Sequence, residues 1–372
     1  MSEQIMSKIR VGVIFGGRST EHEVSLQSAK NIINGLDRNK FDVCLLGINK
    51  EGQWHEYNES DFLLHGDDPS RIALNTPKRA IALVPGKTSE QFISLEDAKP
   101  LPQIDVIFPI VHGNLGEDGS LQGLLRMANL PFVGPGVLGS SACMDKDVTK
   151  RLLRDAGLNI APFITVLKNE RATTEYEATV AQLGLPLFIK PANQGSSVGI
   201  SKVSTESEFY AALDFAFLFD MKVLIESAVK GREIECAVLG NEEPLASPCG
   251  EIVLHDSFYA YHTKYIDENG ASVVAPAQLD AAVSDKIREI ALSAYRALNC
   301  SGMSRVDVFL TENNDVVINE INTLPGFTNI SMYPKLWQQA GMTYPQLISR
   351  LIELGIEKFQ QTAMLKTACD EL

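Results

Sequence analysis

Residues 9–17, IRVGVIFGG, form a short apolar run that stops in two glycines, and residues 18–36, RSTEHEVSLQSAKNIINGL, place Val24, Ile32, Ile33 and Leu36 at helical spacing. The pattern is strand, tight turn, helix. Two further runs, FDVCLLGIN (41–49) and IDVIFPIVHG (104–113), are β-branched and of the length expected for buried parallel strands. Between them, residues from about 50 to 100 are polar and poorly patterned, and are expected to be a surface addition. The first third, 1–142, therefore reads as an open α/β domain. Such sheets bind ligands beyond the carboxyl ends of their strands, where the Gly16–Gly17 turn and HGNLGEDG (112–119) would both emerge.

Around residue 143 the pattern changes. In CMDKDVTKRLLRDAGL, Asp145 is placed as a helix N-cap, Leu152 and Leu153 are expected on one face, and Gly157 is a stop signal. LPLFIKPANQGSSVGISKV (185–203) then reads as strand, Gly/Ser turn, strand. STESEFYAALDFAFLF follows as a helix with Thr205 and Glu208 spaced as a capping box, and KVLIESAVKGREIECAVL (222–239) as another strand pair. A second unit is expected over 143–236 and a third over 237–372. The third carries a helix at DKIREIALSAYRALN and two strands, MSRVDVFL and DVVINEIN, around a turn at Glu312 to Asn314.

At 372 residues the chain is long enough for two or three domains of ordinary size, and 45% hydrophobic with 22% charged residues is the balance of a soluble globular protein. The net charge of −14 argues against nucleic acid or an anionic membrane as partner, so any phosphate site must be a local cluster of cations and backbone N–H groups. MSEQIMSKIR lacks the apolar stretch of a leader and no run is long enough to span a membrane, so a cytoplasmic location is expected. Six cysteines lie far apart without zinc-site spacing and are expected to be buried free thiols.

KPANQGSSVGIS (190–201) raises the question of a phosphate cradle. A Walker loop needs its lysine after the glycines and a helix beyond; here the lysine comes first and a strand follows. What remains is a hairpin with Lys190 at its base and the Ser196 and Ser197 hydroxyls at its tip, either a flexible lid over a polyphosphate or an ordinary surface turn. In SRVDVFLTENNDVVINEIN, Asp307 sits on one strand while Glu320 and Asn322, two apart on the next, share a face. Two carboxylates and an amide oxygen are hard ligands suited to Mg²⁺, which also takes phosphate oxygens. The alternative is a pair of edge strands with a wet face. Arg305, just before this acid, could hold an oxyanion or a carboxylate, or form a surface ion pair.

Taken together, GGRSTEHEVSL (16–26), HGNLGEDGSLQG (112–123), MDKDVTKRLL (144–153), KPANQGSSVGIS, FYAYHTKY (258–265), RVDVF (305–309) and NEINTLPGFT (319–328) closely resemble the D-alanine–D-alanine ligases of the ATP-grasp superfamily. The resemblance spans nearly the whole chain. It implies an α/β ATP-grasp fold of three domains, an N-terminal substrate-binding unit, a central lid and a C-terminal catalytic unit. It also implies a reaction in which one D-alanine carboxylate takes the γ-phosphate of ATP and the amine of a second D-alanine attacks the acyl phosphate.

On that resemblance, the Gly/Ser hairpin with Ser197 closes over the ATP phosphates, and Ser196 joins Glu21 and Tyr265 in a hydrogen-bonded triad. Lys146, Lys190 and Lys264 contact the phosphates, Glu233 binds the ribose and Glu226 faces the adenine. Asp307, Glu320 and Asn322 hold two Mg²⁺, for which Mn²⁺ can substitute. Glu21 pairs with the first ammonium, Arg305 and the Gly326 N–H form the oxyanion hole, Ser331 binds the second D-alanine carboxylate and His112 lies near the first. Tyr265 implies D-alanine rather than D-lactate as acceptor, and a homodimer is implied as well. Two other readings stand beside this one: an ATP-grasp ligase of different specificity, and a nucleotide- or amino-acid-binding regulator with a decayed centre. The second predicts missing metal ligands or a missing arginine, whereas Asp307, Glu320, Asn322 and Arg305 are all present.

Overall fold

The computed structural model describes residues 8–254 and 271–366. After β1 (Ile9–Gly16) and α1 (His22–Gly35) come β2 (Phe41–Ile48), β3 (Trp54–Tyr57), the small pair β4 (Leu63–Leu64) and β5 (Ala73–Leu74), β6 (Arg79–Leu83), β7 (Phe92–Ser94) and β8 (Val106–Ile110). Six of these form one sheet in the order β7-β6-β3-β2-β1-β8. β1 is parallel to both β2 and β8, as their apolar runs predict. The glycine ending β1 is required: at Gly16, φ is +87° and a Cβ would lie 2.2 Å from the Ile48 carbonyl oxygen. Val24, Ile32, Ile33 and Leu36 are all buried beneath α1.

The stretch from 50 to 100 is more than a surface addition. β3, β6 and β7 extend the parallel sheet by antiparallel pairing, and Ile81, Phe92 and Leu101 join the core beneath it. Each of these strands is only three to five residues long, too short for its alternation to stand out in a polar context.

The chain continues through α2 (Ser120–Met127), α3 (Val137–Met144) and α4 (Lys146–Asp155). Asp145 caps α4 by accepting from the Asp147 and Val148 N–H groups, a contribution of about 1 kcal/mol. Leu152 and Leu153 do not share a face. Leu153 is wholly buried and Leu152 is 38% exposed, because adjacent helical residues point about 100° apart.

β9 (Phe163–Leu167), α5 (Tyr176–Leu183), β10 (Leu187–Pro191), β11 (Ser201–Val203), α6 (Glu206–Ala216) and β12 (Lys222–Ser227) form a small unit with a four-stranded sheet, β11-β10-β12-β9. Thr205 and Glu208 make the expected capping box at α6. This unit has its own core, in which Leu187, Ile189, Phe209, Leu213, Val223 and Ile225 are buried together. A body with a separate core can move on its neighbours without opening theirs.

β13 (Arg232–Gly240), β14 (Leu245–Leu254), β15 (Ala271–Val274), α7 (Ala281–Ala297), β16 (Gly302–Leu310) and β17 (Val316–Asn322) build the third unit, whose sheet runs β15-β14-β13-β16-β17. β12 and β13 are both strands, but they are not a pair. β13 bonds to β14 and β16 along its length, so residues 228–231 carry the chain between sheets and residue 236 falls inside a strand. α8 (Met332–Gln339) and α9 (Tyr344–Ala363) pack between the first and third sheets, where Val11, Phe15, Ala237, Met303, Leu347 and Leu351 share one core. The five described cysteines are unbridged; Cys44 is half-buried and the others are buried, with the Cys143 and Cys300 Sγ atoms 3.6 Å apart. No helix among the described residues is long and apolar enough to cross a membrane.

Candidate active site

A cleft of about 530 Å³ lies between the small sheet and the third sheet. Its walls explain how distant segments meet. β10 brings Lys190 and leads into the Gly195–Ser197 turn, α4 brings Lys146, β12 brings Glu226, and β13, β16 and β17 bring Glu233, Asp307 and Glu320. Cationic and hydroxyl side chains therefore line the same space as several carboxylates. This suits a ligand that carries negative charge at one end and hydrogen-bond donors at the other.

The turn is a true hairpin, with β10 and β11 antiparallel. Ser196 and Ser197 both have positive φ, +51° and +61°, which costs a non-glycine residue roughly 1–2 kcal/mol each. Such strain clusters where a backbone must face a ligand. The Ser196 hydroxyl donates to Glu21 Oε1, so the tip of the small unit touches the first domain. Gly195 makes room for this: a Cβ there would lie 3.0 Å from Glu21 Oε2. Lys146 Nζ donates to the Gln194 carbonyl at 2.5 Å, tying the other side of the turn to α4. Tyr265 and Lys264 lie outside the described residues.

Asp307 and Glu320 are direct partners across β16 and β17, and Arg305 faces Asn322. A bulge after Asp307 follows this cluster. β17 is an edge strand, as the alternative reading of this segment requires, yet its Glu320 lines the cleft together with Asn319, while Asn322 and Arg305 stand beside Asp307 outside the lining. Arg305 forks onto Asp307, with Nε to Oδ1 and Nη2 to Oδ2 both at 2.7 Å, and Asn322 Nδ2 donates to Oδ2 at 2.9 Å. Among the described residues no three His, Cys, Asp or Glu side chains gather as a ready metal cage. Two carboxylates and an amide oxygen nevertheless fit Mg²⁺, which is typically held by one or two carboxylates with water and substrate phosphates completing the shell.

Three charged residues outside the sequence expectations belong to this site. Glu235 lines the cleft two residues after Glu233 and directly opposite Asp307, and it sits 3.0 Å from Arg305 Nε. Glu117 is half-buried and accepts the Gly113 N–H at 2.6 Å. Burial, then the charge of Glu21, pushes its carboxyl up to about 8, so at neutral pH it is largely protonated. Lys150 lies one helical turn beyond Lys146. Strand alternation marks Glu235, helical spacing marks Lys150, and Glu117 stands inside HGNLGEDG; none of these signals says which charged neighbour each one meets.

The remaining candidates are placed as follows. Burial pushes the Glu226 carboxyl up, but Lys190 and then Lys150 outweigh it and hold the group below the usual carboxylate range. Glu226 Oε2 is 2.8 Å from Lys190 Nζ. His112 is 4% exposed, and burial lowers it to about 4, so the ring is neutral. Its Nε2 is 3.1 Å from Ser28 Oγ, which in turn accepts the Phe327 N–H; His112 thus braces the loop that carries Gly326. Ser331 accepts the Thr328 N–H at 3.0 Å and borders a separate depression of about 360 Å³ between α1 and α8. A Cβ on Gly326 would lie 2.7 Å from Ser331 Oγ, so only glycine allows the two to sit this close.

Comparison with known proteins gives a consistent picture. Residues 10–135 match the family described as D-ala D-ala ligase N-terminus, and residues 152–353 match the D-ala D-ala ligase C-terminus. The chain is 67% identical to the D-alanine–D-alanine ligase of Proteus mirabilis over 365 residues, 98% of this chain and all of that one. It is 64% identical to D-alanine–D-alanine ligase A of Escherichia coli over 362 residues, 97% of this chain and all of that one. Among solved structures, the D-alanine-D-alanine ligase of Coxiella burnetii is similar with a TM-score of 0.83 and 38% identity, covering 96% of this chain and 97% of that one. A D-Ala:D-Ser ligase of Enterococcus faecalis has the same TM-score with 36% identity, covering 94% of this chain and all of that one.

Proposed function

The chain belongs to the D-alanine–D-alanine ligase family and is, as such, an ATP-dependent ligase that joins two D-alanines for peptidoglycan precursor synthesis; we propose that it does so with the cleft residues in the following roles. ATP lies with its base toward Glu226, its ribose at Glu233 and its phosphates between Lys146, Lys190, Lys264 and the Ser196–Ser197 turn. The carboxylate of the first D-alanine attacks the γ-phosphorus, a P–O bond forms to the substrate oxygen, and ADP leaves with the bond to its β-phosphate oxygen. The amine of the second D-alanine, having lost a proton, then attacks the acyl carbon. The tetrahedral intermediate expels phosphate and leaves the amide.

Little of this requires a protein nucleophile. Phosphoryl transfer is catalysed by positioning and by neutralising charge, which is what clustered lysines supply. Glu21, which accepts from Ser196, holds the first ammonium, and Tyr265 is assigned to the same triad by the family resemblance. Arg305 and the Gly326 N–H receive the oxyanion of the tetrahedral intermediate. Ser331 binds the second carboxylate, and neutral His112 keeps that loop in place. Asp307, Glu320 and Asn322 would hold Mg²⁺, or Mn²⁺ in its stead, which neutralises the phosphate oxygens during transfer. The same proposal covers a cytoplasmic homodimer without nucleic acid or membrane partners, and three working parts: 1–142, a lid from 143 to the linker after β12, and the remainder.

The observation that carries this reading is the contact of Ser196 with Glu21, which joins the Gly/Ser turn over the lysine-lined cleft to the first domain. The expected result is that phosphate release from ATP in Mg²⁺ requires D-alanine, is not supported by L-alanine, and yields a dipeptide by mass. Release of phosphate only with D-lactate or D-serine as second substrate would keep the ligase chemistry and overturn the acceptor.

A further inference from the structure

Glu226 is served by two lysines of different kinds. Lys190 lies on the adjacent strand β10, diagonal to Glu226 across the pair, and lines the cleft. Lys150 comes from α4, is 1% exposed, and has its Nζ 3.3 Å from Glu226 Oε1 and 5.7 Å from the centre of the Phe163 ring. It makes no aligned hydrogen bond with any described group, Glu226 Oε1 included, so its link to Glu226 is a close ion pair. Lys146, the other ammonium nearby, is bonded to the Gln194 carbonyl.

A fully buried ammonium with one carboxylate partner is costly to keep unless the pair has a task. Bound nucleotide supplies one. In the proposed complex the phosphates draw Lys190 away from Glu226, and a buried carboxylate left without a counter-ion takes up a proton. We propose that Lys150 is a positioning residue, the permanent counter-ion that keeps Glu226 an acceptor-only anion in the nucleotide complex and thereby selects a purine with an amino group at position 6. The inference rests on the reading that Glu226 faces the base. An ionised carboxylate accepts from a 6-amino group and is repelled by a 6-carbonyl, whereas a protonated one can donate to that carbonyl, and the discrimination collapses.

Steady-state kinetics of the full-length enzyme with Mg²⁺ and D-alanine, comparing ATP with ITP, test it, because ITP carries a 6-carbonyl where ATP carries a 6-amino group, and the accompanying proton on N1 of ITP is the same for every variant compared. Lys150→Met is expected to lower the ATP-to-ITP ratio of kcat/KM by at least about tenfold, chiefly by raising KM for ATP, with kcat changing less than about threefold. Lys150→Arg should restore most of the ratio. Should Lys150→Met not fold, Lys150→Gln, which keeps donors without the charge, is expected to lower the ratio too. An unchanged ratio in the folded charge-removing variant, with only a loss of thermal stability, would show a structural role and overturn the proposal. Glu226→Gln separates the two layers. If it leaves the ratio intact, the base-facing reading is wrong and Lys150 falls with it; if it collapses the ratio while Lys150→Met does not, Lys150 alone is wrong.

Discussion

Replacing Arg305 by alanine is expected to lower kcat for dipeptide formation by about 10³-fold, or roughly 4 kcal/mol of transition-state stabilisation, while the Kd for ATP changes less than about threefold. The asymmetry follows from where the charge develops. The oxyanion exists only after the second amine has attacked, so a donor that serves it acts on turnover and not on nucleotide binding. Arg305 is placed for this by two carboxylates, with Asp307 taking the fork of Nε and Nη2 and Glu235 lying on Nε from the neighbouring strand. Its removal leaves those acids facing each other, and breaking a buried pair of this kind costs about 3–5 kcal/mol. A thermal-shift measurement with ATP and Mg²⁺ present separates loss of fold from loss of chemistry. Nucleotide affinity that fell as far as kcat would contradict the oxyanion role.

The second large effect is expected at Glu320. Glu320→Gln removes one of two carboxylates from the proposed metal face while leaving the strand, its bulge and the Asp307–Asn322 bond in place. Activity at low millimolar Mg²⁺ is expected to fall by about 10²-fold, with partial recovery as Mg²⁺ is raised, because a hard cation loses a charged ligand but keeps the phosphates and Asp307. The variant also removes a negative charge that acts on Lys146 and Glu117. A kcat loss that no Mg²⁺ concentration relieves would assign Glu320 to that local charge balance instead of to the metal. Titration of Mg²⁺ at fixed ATP, read as initial rate, decides between them.

Much of this arrangement is legible in the sequence because local rules determine it. The Asp145 cap, the Thr205–Glu208 capping box and the alternation that turns Glu320 and Asn322 to one face each depend on residues only a few positions apart. The parts that are not legible depend on long-range encounters. Nothing near Lys150 in the chain announces Glu226, and nothing near Glu235 announces Arg305, since those pairs exist only once α4 meets β12 and β13 meets β16. The same holds for β12 and β13, which follow each other closely in the chain yet join different sheets because β13 finds longer partners in β14 and β16. In β3, β6 and β7 the limit is length, since three to five residues carry too few alternations to be read. The protonated state of Glu117 is a property of burial and of Glu21 beside it, and neither can be counted from composition.

The central claim is that the cleft passes phosphate through the carboxylate of a first D-alanine before the amide forms. D-Alanine labelled with ¹⁸O in its carboxylate, turned over with ATP and Mg²⁺, tests it directly. The account predicts one ¹⁸O in the released inorganic phosphate for each dipeptide made, since the attacking carboxylate oxygen leaves with phosphorus when the second amine displaces it. Phosphate free of ¹⁸O, with dipeptide still formed, would contradict it.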